Sequence, residues 1–124
     1  MEKWAVIPGY EGFYEVSDYG HVRSLWREVK YGRHGKTTYK GRELKQFTSK
    51  HGYFCVKLSN FKGTKTYYVH HLVLSAFVGE RPITKERSEI RHLDGNKTNN
   101  NLTNICYGTI TENAADRVRH ARMK

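Results

Sequence analysis

Short runs in which apolar and polar residues alternate fill most of the chain, and turn-forming residues separate them. This pattern predicts antiparallel β-strands rather than long helices. The first three runs occupy residues 4–7, 13–16 and 21–25. Because only a tight turn separates the second run from the third, these two are expected to form a β-hairpin.

A second group of strands is predicted between residues 41 and 69. Residues 52–58 alternate well, residues 60–65 are typical of a basic hairpin turn, and residues 66–69 supply the next strand. The stretch between the two groups, residues 26–40, is rich in Lys, Arg and Gly and has no clear period. We interpret it as a mobile loop that becomes ordered only when bound to a partner.

One short buried helix is predicted after these strands, because apolar residues recur at positions 72, 73, 76 and 77. His70 and His71 precede them and invite a metal site, but neighbours on a helix point about 100° apart, which disfavours a shared ion. We interpret the pair as structural, with His70 hydrogen-bonded where strand becomes helix. Residues 79–89 carry many charges and predict a surface loop.

The rest of the chain is organised around its last third, residues 91–120. Asp94-Gly95 predicts a tight turn, followed by an asparagine-rich loop. The apolar residues that predict one short strand after this loop are Leu102, Ile105 and Tyr107. We therefore expect a β-hairpin with His92 near the end of its first strand.

A helix is expected to close this hairpin. Thr109 and Glu112 form a capping-box pattern at its start. One stripe of the helix is polar and carries Asn113, Asp116 and His120, while a neighbouring stripe is apolar and carries Ile110, Ala114, Val118 and Ala121. If the apolar stripe packs on the hairpin, the polar stripe flanks a cleft that faces His92.

The composition limits the class of protein. A chain of 124 residues makes one compact domain or two small subdomains that share a core. The sequence has no membrane-length apolar run and no signal-peptide pattern at its N-terminus, so we expect a soluble, intracellular and cytoplasmic protein. Cys55 and Cys106 lie in apolar runs without a Cys-x-x-Cys spacing, which excludes a zinc knuckle and favours core thiols.

Positive charge is concentrated in one segment. The whole chain has a formal charge of +10, and residues 21–65 alone carry 12 basic against 2 acidic side chains. Aromatic residues are interleaved with them, a combination that suits phosphate contact and insertion into a nucleic-acid groove. The alternative is a solvated basic face with no partner.

Double-stranded DNA is the partner that we expect for this segment, without membrane contact. The residues predicted to bind DNA are Arg23, Arg27, Lys30, Arg33, Lys36, Lys40, Arg42, Lys45 and, beside His92, Arg91. Single-stranded RNA is a weaker alternative because no RNP-type aromatic motif is present.

The last third resembles the HNH endonucleases, in particular their homing branch. The resemblance is carried by His92, by Asn100 eight residues later and by Asn113 thirteen residues beyond that, with Asn104 between them, inside the turn and helix context described above. It implies a ββα-metal fold that binds one divalent cation, expected to be Mg²⁺, and hydrolyses DNA phosphodiester bonds. It also suggests a phage or intron origin.

The resemblance implies a role for each matching residue. His92 is expected to be the general base. Asn100 is expected to hold the loop by hydrogen bonds to the backbone and so orient His92. Asn113 is expected to offer a carbonyl oxygen to the metal, a hard ligand for a hard cation, and we add Asp116, one turn along the same stripe, as the second metal ligand.

The first 25 residues show a second resemblance, to the modular domain that precedes homing-type HNH nucleases. It is carried by Trp4, Ile7-Pro8-Gly9-Tyr10-Glu11-Gly12, Tyr14-Glu15-Val16-Ser17 and Gly20-x-Val22-x-Ser24-Leu25. Taken together, the sequence predicts an α+β protein. Its residues 1–65 form an antiparallel β-rich basic DNA-binding region, and residues 66–124 form an HNH nuclease domain with the ββα-metal motif.

One residue departs from the HNH pattern. The residue before the histidine is usually a second metal ligand, whereas here it is Arg91, which stays protonated and cannot ligate a cation. The alternative function is therefore a DNA-binding protein on the same scaffold with weak or lost cleavage. A chain with one base and one metal is expected to nick one strand, as a monomer or weak dimer.

Overall fold

The computed structural model describes residues 1–79 and 88–109. In chain order its elements are β1 (Trp4–Val6), β2 (Tyr14–Ser17), β3 (Val22–Ser24), β4 (Arg27–Tyr31), β5 (Gly35–Tyr39), β6 (Phe47–Thr48), β7 (Phe54–Asn60), β8 (Gly63–Tyr68), α1 (Val69–Phe77), β9 (Ser88–His92), a 3₁₀ helix (Leu102–Asn104) and β10 (Ile105–Thr109). All strand pairs among these residues are antiparallel, in the orders β1-β2-β3, β4-β5, β6-β7-β8 and β10-β9. The predicted α+β class is confirmed.

The first predicted hairpin is present as β2 and β3, with Val16 paired to Val22. Both valines are fully buried because alternate positions of each strand face the core. The turn between the strands is held by Ser17, whose Oγ accepts hydrogen bonds from the backbone N–H groups of Tyr19 and His21.

The prediction of a loop at residues 26–40 was wrong. This stretch forms a hairpin of β4 and β5, with Arg27 paired to Tyr39 and Lys30 paired to Lys36. Backbone hydrogen bonds hold the two strands together, and these bonds need no apolar period. The exposed side chains along the hairpin are Glu28, Lys30, Lys36, Thr37 and Thr38. Because these described side chains are exposed, they show no alternation of buried and exposed positions, which explains the error.

The core lies between the sheets and α1. Along β7, Val56 and Leu58 are fully buried while Lys57 between them is exposed, as the predicted alternation requires. The predicted helix is present as α1, and its buried residues are Val69, Leu72, Val73 and Leu74. None of the helices in the described part of the chain is long and apolar enough to cross a membrane.

The predicted C-terminal hairpin is formed by β9 and β10, with His92 opposite Ile105. The second strand begins later than predicted because Leu102 belongs to the 3₁₀ helix that precedes it. The first strand begins at Ser88, inside the stretch predicted to be a surface loop. The predicted helix with Asn113, Asp116 and His120 lies outside the described residues.

The N-terminal and C-terminal parts of the chain meet directly. The backbone N–H of Leu102 donates to the carbonyl oxygen of Asp18 at 2.7 Å. Ile105 of β10 belongs to the same core cluster as Val16 of β2. The predicted boundary between residues 65 and 66 falls inside β8, and the core is continuous across it. The division into two domains at this point stays a prediction.

Candidate active site

His92 is the last residue of β9, and only 8% of it is exposed. The strand end places its imidazole at the mouth of the loop that returns to β10. Asn100 lies in this loop and is 3% exposed, with its Oδ1 atom 2.9 Å from Nε2 of His92. An amide oxygen only accepts, so Nε2 carries the proton and Nδ1 keeps its lone pair. His92 is thus held in the tautomer that can take up a proton at Nδ1.

The predicted role of Asn100 needs correction at this point. The sequence suggested that Asn100 orients His92 indirectly, through the backbone, whereas its side chain contacts the imidazole itself. The hydrogen bonds that hold the loop come from Asn104 instead. Its amide nitrogen donates to Asp94 Oδ1 and to the carbonyl oxygen of Asn99, each at 2.9 Å, and its Oδ1 accepts from the backbone N–H of Asp94 at 3.0 Å.

Asp94 is the carboxylate of this loop, and both of its oxygens accept hydrogen bonds within the loop. Burial acts to raise its pKa, but hydrogen bonds from Asn99, Asn96 and Asn104 outweigh it and leave the pKa below the usual 3.8. Asp94 is therefore ionised at neutral pH and acts as the fixed centre of the turn.

Burial lowers the pKa of His92 below its ordinary value of 6.5, because the charged imidazolium loses hydration. The hydrogen bond to Asn100 and the charge of Asp94 act in the opposite direction, while Lys97 lowers the pKa further. His92 is consequently neutral at neutral pH. A neutral, oriented imidazole is the form that a general base requires.

The rings of His70 and Tyr53 contact the imidazole of His92. The His70 ring meets it edge-on at a centroid distance of 5.2 Å, and the Tyr53 ring lies at 5.7 Å, tilted by 39°. Tyr68 stacks on His70 with an angle of 7° between the planes. His70 was predicted to be a structural residue at a strand-to-helix junction, and its contact with His92 was missed. A pairing of residues 22 positions apart leaves no local sequence signal.

Arg91 precedes His92 on β9 and is half-buried. Its side chain runs across Gly108 of β10, where an added methyl group would overlap Cδ of Arg91. Gly108 therefore makes room for the arginine at the position where HNH proteins were expected to carry a metal ligand. Sequence reasoning did not single out Gly108, because a lone glycine in a strand indicates a close approach without naming the partner.

Family models cover most of the chain in two blocks. The NUMOD4 motif matches residues 2–59, and the HNH endonuclease model matches residues 67–115. The second half of the chain belongs to the HNH endonuclease family.

Two relatives of this HNH chain are endonucleases of viruses. The DNA endonuclease I-HmuI of Bacillus phage SP01 is 38% identical over 109 residues, which cover 86% of this chain and 52% of that protein. An uncharacterised HNH endonuclease of Acanthamoeba polyphaga mimivirus is 30% identical over 114 residues, which cover 92% of this chain and 29% of that protein. The chain thus spans about half or less of the length of these relatives.

A solved structure that concerns DNA binding and cleavage by the HNH homing endonuclease I-HmuI matches with a TM-score of 0.70 and 33% identity. The match covers 96% of this chain and 59% of that one. The resemblance to homing-type HNH endonucleases that the sequence suggested is therefore confirmed.

Metal ligands in this HNH chain were predicted at Asn113 and Asp116, which lie outside the described residues. Within residues 1–79 and 88–109, no group of three or more His, Cys, Asp or Glu side chains could hold a metal ion. Asp94 is the acidic side chain nearest to His92 in this loop, and it is committed to hydrogen bonds. These residues alone do not make a complete metal site.

The basic residues predicted to bind DNA differ in their surroundings. Lys30, Arg33 and Lys36 are exposed on the β4-β5 hairpin. Arg23, by contrast, has internal partners. It donates twice to Glu15 Oε1, at 2.9 and 2.7 Å, and its guanidinium lies 3.9 Å from the ring centre of Trp4.

Most of the other basic residues that were predicted to bind DNA line two grooves. Arg27, Lys40 and Arg42 line a cleft of about 500 Å³ with aromatic and small residues. Lys45 lines a groove of about 380 Å³ that also contains Thr98 and Asn100. One residue that lines this second groove, Asn100, is hydrogen-bonded to His92.

Proposed function

We propose that the chain is a metal-dependent DNA endonuclease in which His92 is the general base. The observation that carries this proposal is the buried, neutral imidazole whose Nε2–H is fixed on Asn100, which leaves Nδ1 as the basic atom. The similarity to I-HmuI supports DNA as the substrate.

In the proposed mechanism, Nδ1 of His92 accepts a proton from a water molecule as the water oxygen attacks phosphorus. The phosphorus–oxygen bond on the opposite side breaks, the leaving oxygen takes up a proton from solvent water, and the imidazolium later returns its proton to solvent. Asn100 keeps its hydrogen bond to Nε2 throughout, and the carboxylate of Asp94 stabilises the transient imidazolium through its charge. The protein thus provides a general base whose orientation and protonation state are set before DNA binds.

A divalent cation would supply electrostatic stabilisation of the phosphate oxygens and of the leaving group. Asn113 and Asp116 are the residues that we propose to hold it, with phosphate oxygens of the DNA completing the shell. Mg²⁺ suits such oxygen ligands.

The basic surface of residues 21–65 is proposed to position the duplex. The exposed lysine and arginine side chains of the β4-β5 hairpin and the two grooves can follow a phosphate backbone towards His92. Because one chain carries one such base, we propose that a single encounter nicks one strand.

Supercoiled plasmid provides the test. Purified protein with Mg²⁺ should convert it to the nicked circular form, and EDTA should prevent this conversion. Full retention of activity in EDTA would contradict the metal dependence. Binding of the plasmid without any nicking, across Mg²⁺, Mn²⁺ and Ca²⁺, would contradict the nuclease function.

The second candidate function is a DNA-binding protein that has lost cleavage. Arg91 favours it, because this residue stands beside His92 where a metal ligand was expected. The two functions differ in the plasmid test, since both bind DNA but only the nuclease changes its topology.

A further inference from the structure

Tyr53 joins the N-terminal region to the candidate active site. It lies just before β7, inside the segment that matches the NUMOD4 motif, and its ring contacts both His92 and His70 at centroid distances of 5.7 and 5.2 Å. Two backbone interactions fix its position. Its N–H donates to Ser49 Oγ at 3.2 Å, and its carbonyl oxygen accepts from the N–H of Ser49 at 2.7 Å.

A second link runs from the nuclease loop back to the same turn. Lys97 Nζ lies 5.3 Å from the ring centre of Tyr53, and it donates to the carbonyl oxygen of His51 at 3.2 Å. A cation over the face of an aromatic ring is attracted by the ring quadrupole. The loop that carries Asn100 is therefore anchored on the turn that carries Tyr53.

The hydrogen bond to Asn100 does not define the orientation of His92 by itself. One bond at Nε2 fixes that atom, but the imidazole can still swing about it, and Nδ1 swings with the ring. Contacts with two further rings restrict this freedom. The plane of His70 meets the imidazole plane at 84° and that of Tyr53 at 39°, so two rings of different orientation pack against it.

We infer that Tyr53 is a positioning residue of the active site, which sets the plane of the His92 imidazole and therefore the direction of Nδ1. The inference rests on the proposed role of His92 as the base. It makes the N-terminal region part of the catalytic centre in addition to its proposed contact with DNA. The nuclease segment without residues 1–59 would then lack one wall of its own active site.

Tyr53 is half-buried and lies outside the core cluster, so its ring contacts with Tyr68, His70 and His92 are not part of the main hydrophobic packing. A purely structural residue at this position would act through stability. A positioning residue acts on the rate of the chemical step, because small displacements of a reacting group are costly.

The experiment compares Tyr53→Leu with Tyr53→Phe in the full chain. Tyr53→Leu removes the ring and is expected to lower single-turnover nicking by about 10- to 100-fold with DNA affinity unchanged. Tyr53→Phe keeps the ring and should restore the rate. Tyr67→Leu is the matched control, since Tyr67 is a half-buried tyrosine of β8 whose ring contacts Tyr10. It should nick at the wild-type rate.

NMR of the His92 imidazole gives a readout that does not depend on activity. Loss of the Tyr53 ring current should shift the ring C–H signals in Tyr53→Leu and leave them in place in Tyr67→Leu. Unchanged signals, an unchanged nicking rate in Tyr53→Leu, or a failure of Tyr53→Phe to restore the rate would each overturn the inference.

If the wild-type protein does not nick, the proposed function fails, and NOEs from the His92 ring protons to His70, compared between the wild-type protein and Tyr53→Leu, then decide whether Tyr53 sets the plane of the imidazole. Circular dichroism checks folding, and Tyr53→Met replaces Tyr53→Leu if the leucine variant folds poorly.

Discussion

Gly20 and Asn100 are in such close contact that a Cβ atom at Gly20 would lie 2.8 Å from Cβ of Asn100. Gly20 ends the turn between β2 and β3, and Asn100 holds the imidazole of His92. The N-terminal hairpin thus supports the residue that orients the proposed base. A substitution in this turn should therefore affect the orientation of His92 through one intervening side chain, that of Asn100.

The substitution Gly20→Ala tests this contact. Gly20 has φ +90°, a conformation that costs alanine about 1–2 kcal/mol. Overpacking against Asn100 should add about 1–3 kcal/mol. Gly9→Ala is the matched control, because Gly9 has φ +87° but nothing within 4 Å of an added Cβ. Urea denaturation should show a larger loss of unfolding free energy in Gly20→Ala, with slower nicking. Equal losses in the two variants would argue against the contact.

His92→Ala should lower the rate of strand cleavage by about 100- to 10,000-fold, the usual contribution of a general base. DNA affinity should hardly change, because His92 is buried and neutral and contributes little to phosphate binding. His51→Ala is the matched control, since His51 is exposed and its described hydrogen bond uses only its carbonyl oxygen. Single-turnover nicking on a labelled duplex measures the effect, and a rate that survives in His92→Ala removes this residue from the mechanism.

The pH dependence of cleavage follows from the lowered pKa of His92. Only the neutral imidazole accepts a proton, so the rate should rise with pH through a pKa below 6.5 and be constant above it. In Asn100→Asp, an ionised carboxylate on Nε2 favours the imidazolium and should raise this pKa. The midpoint of the acid limb should therefore move to higher pH. Rate profiles of the two proteins with the same metal check the shift, and coincident acid limbs would show that another group controls the rate.

Parts of this site follow from local sequence and could be predicted. His92 at a strand end, the turn at Asp94-Gly95 and the nearby Asn100 all lie within ten residues, where turn chemistry and strand pairing fix relative positions. Tyr53 could not be predicted, because its contact with His92 depends on how β7 and β9 are placed in space. Such contacts between distant residues produce no characteristic residue spacing in the sequence.

The hairpin of β4 and β5 is a part of the fold that the sequence did not predict. Its strands pair through the backbone, and their described side chains are mostly exposed, so these residues show no alternation imposed by burial. The buried strand β7 could be predicted, because Cys55, Val56 and Leu58 supply the apolar side chains that the core requires.

DNA affinity should depend steeply on salt, with a slope of log K against log salt near about −5 if about six phosphates are contacted. The structure divides the predicted DNA-binding residues into exposed and internally paired ones. Lys36→Ala should reduce the slope by about 0.9. Arg23→Ala should reduce it much less, because Arg23 is already paired with Glu15 and covers Trp4. Fluorescence anisotropy over a salt series measures both slopes. Equal reductions would mean that Arg23 leaves Glu15 to bind phosphate.

Arg91 stands where the resemblance to HNH endonucleases led us to expect a metal ligand, and its surroundings favour a role for the arginine itself. Gly108 leaves space for the arginine side chain across β10. A chance replacement of a metal ligand by arginine would not require such a matching glycine on the neighbouring strand. We expect Arg91 to hold a phosphate beside the scissile bond, by charge-assisted hydrogen bonds that a planar guanidinium can make in pairs. Arg91→Ala should then weaken cleavage at saturating Mg²⁺, and Arg91→Lys should recover only part of the loss.

Arg91→Asp separates this role from a damaged metal site. With a phosphate-binding arginine, the aspartate repels DNA and cleavage falls below that of Arg91→Ala. If the arginine merely replaces a metal ligand, the aspartate supplies an oxygen ligand, and cleavage should rise at low Mg²⁺ concentration. Asp116→Ala is the companion measurement, because loss of a proposed ligand should raise the Mg²⁺ concentration needed for half-maximal nicking. Activation by Arg91→Asp with no effect of Asp116→Ala would make the DNA-binding function the better description of the natural chain.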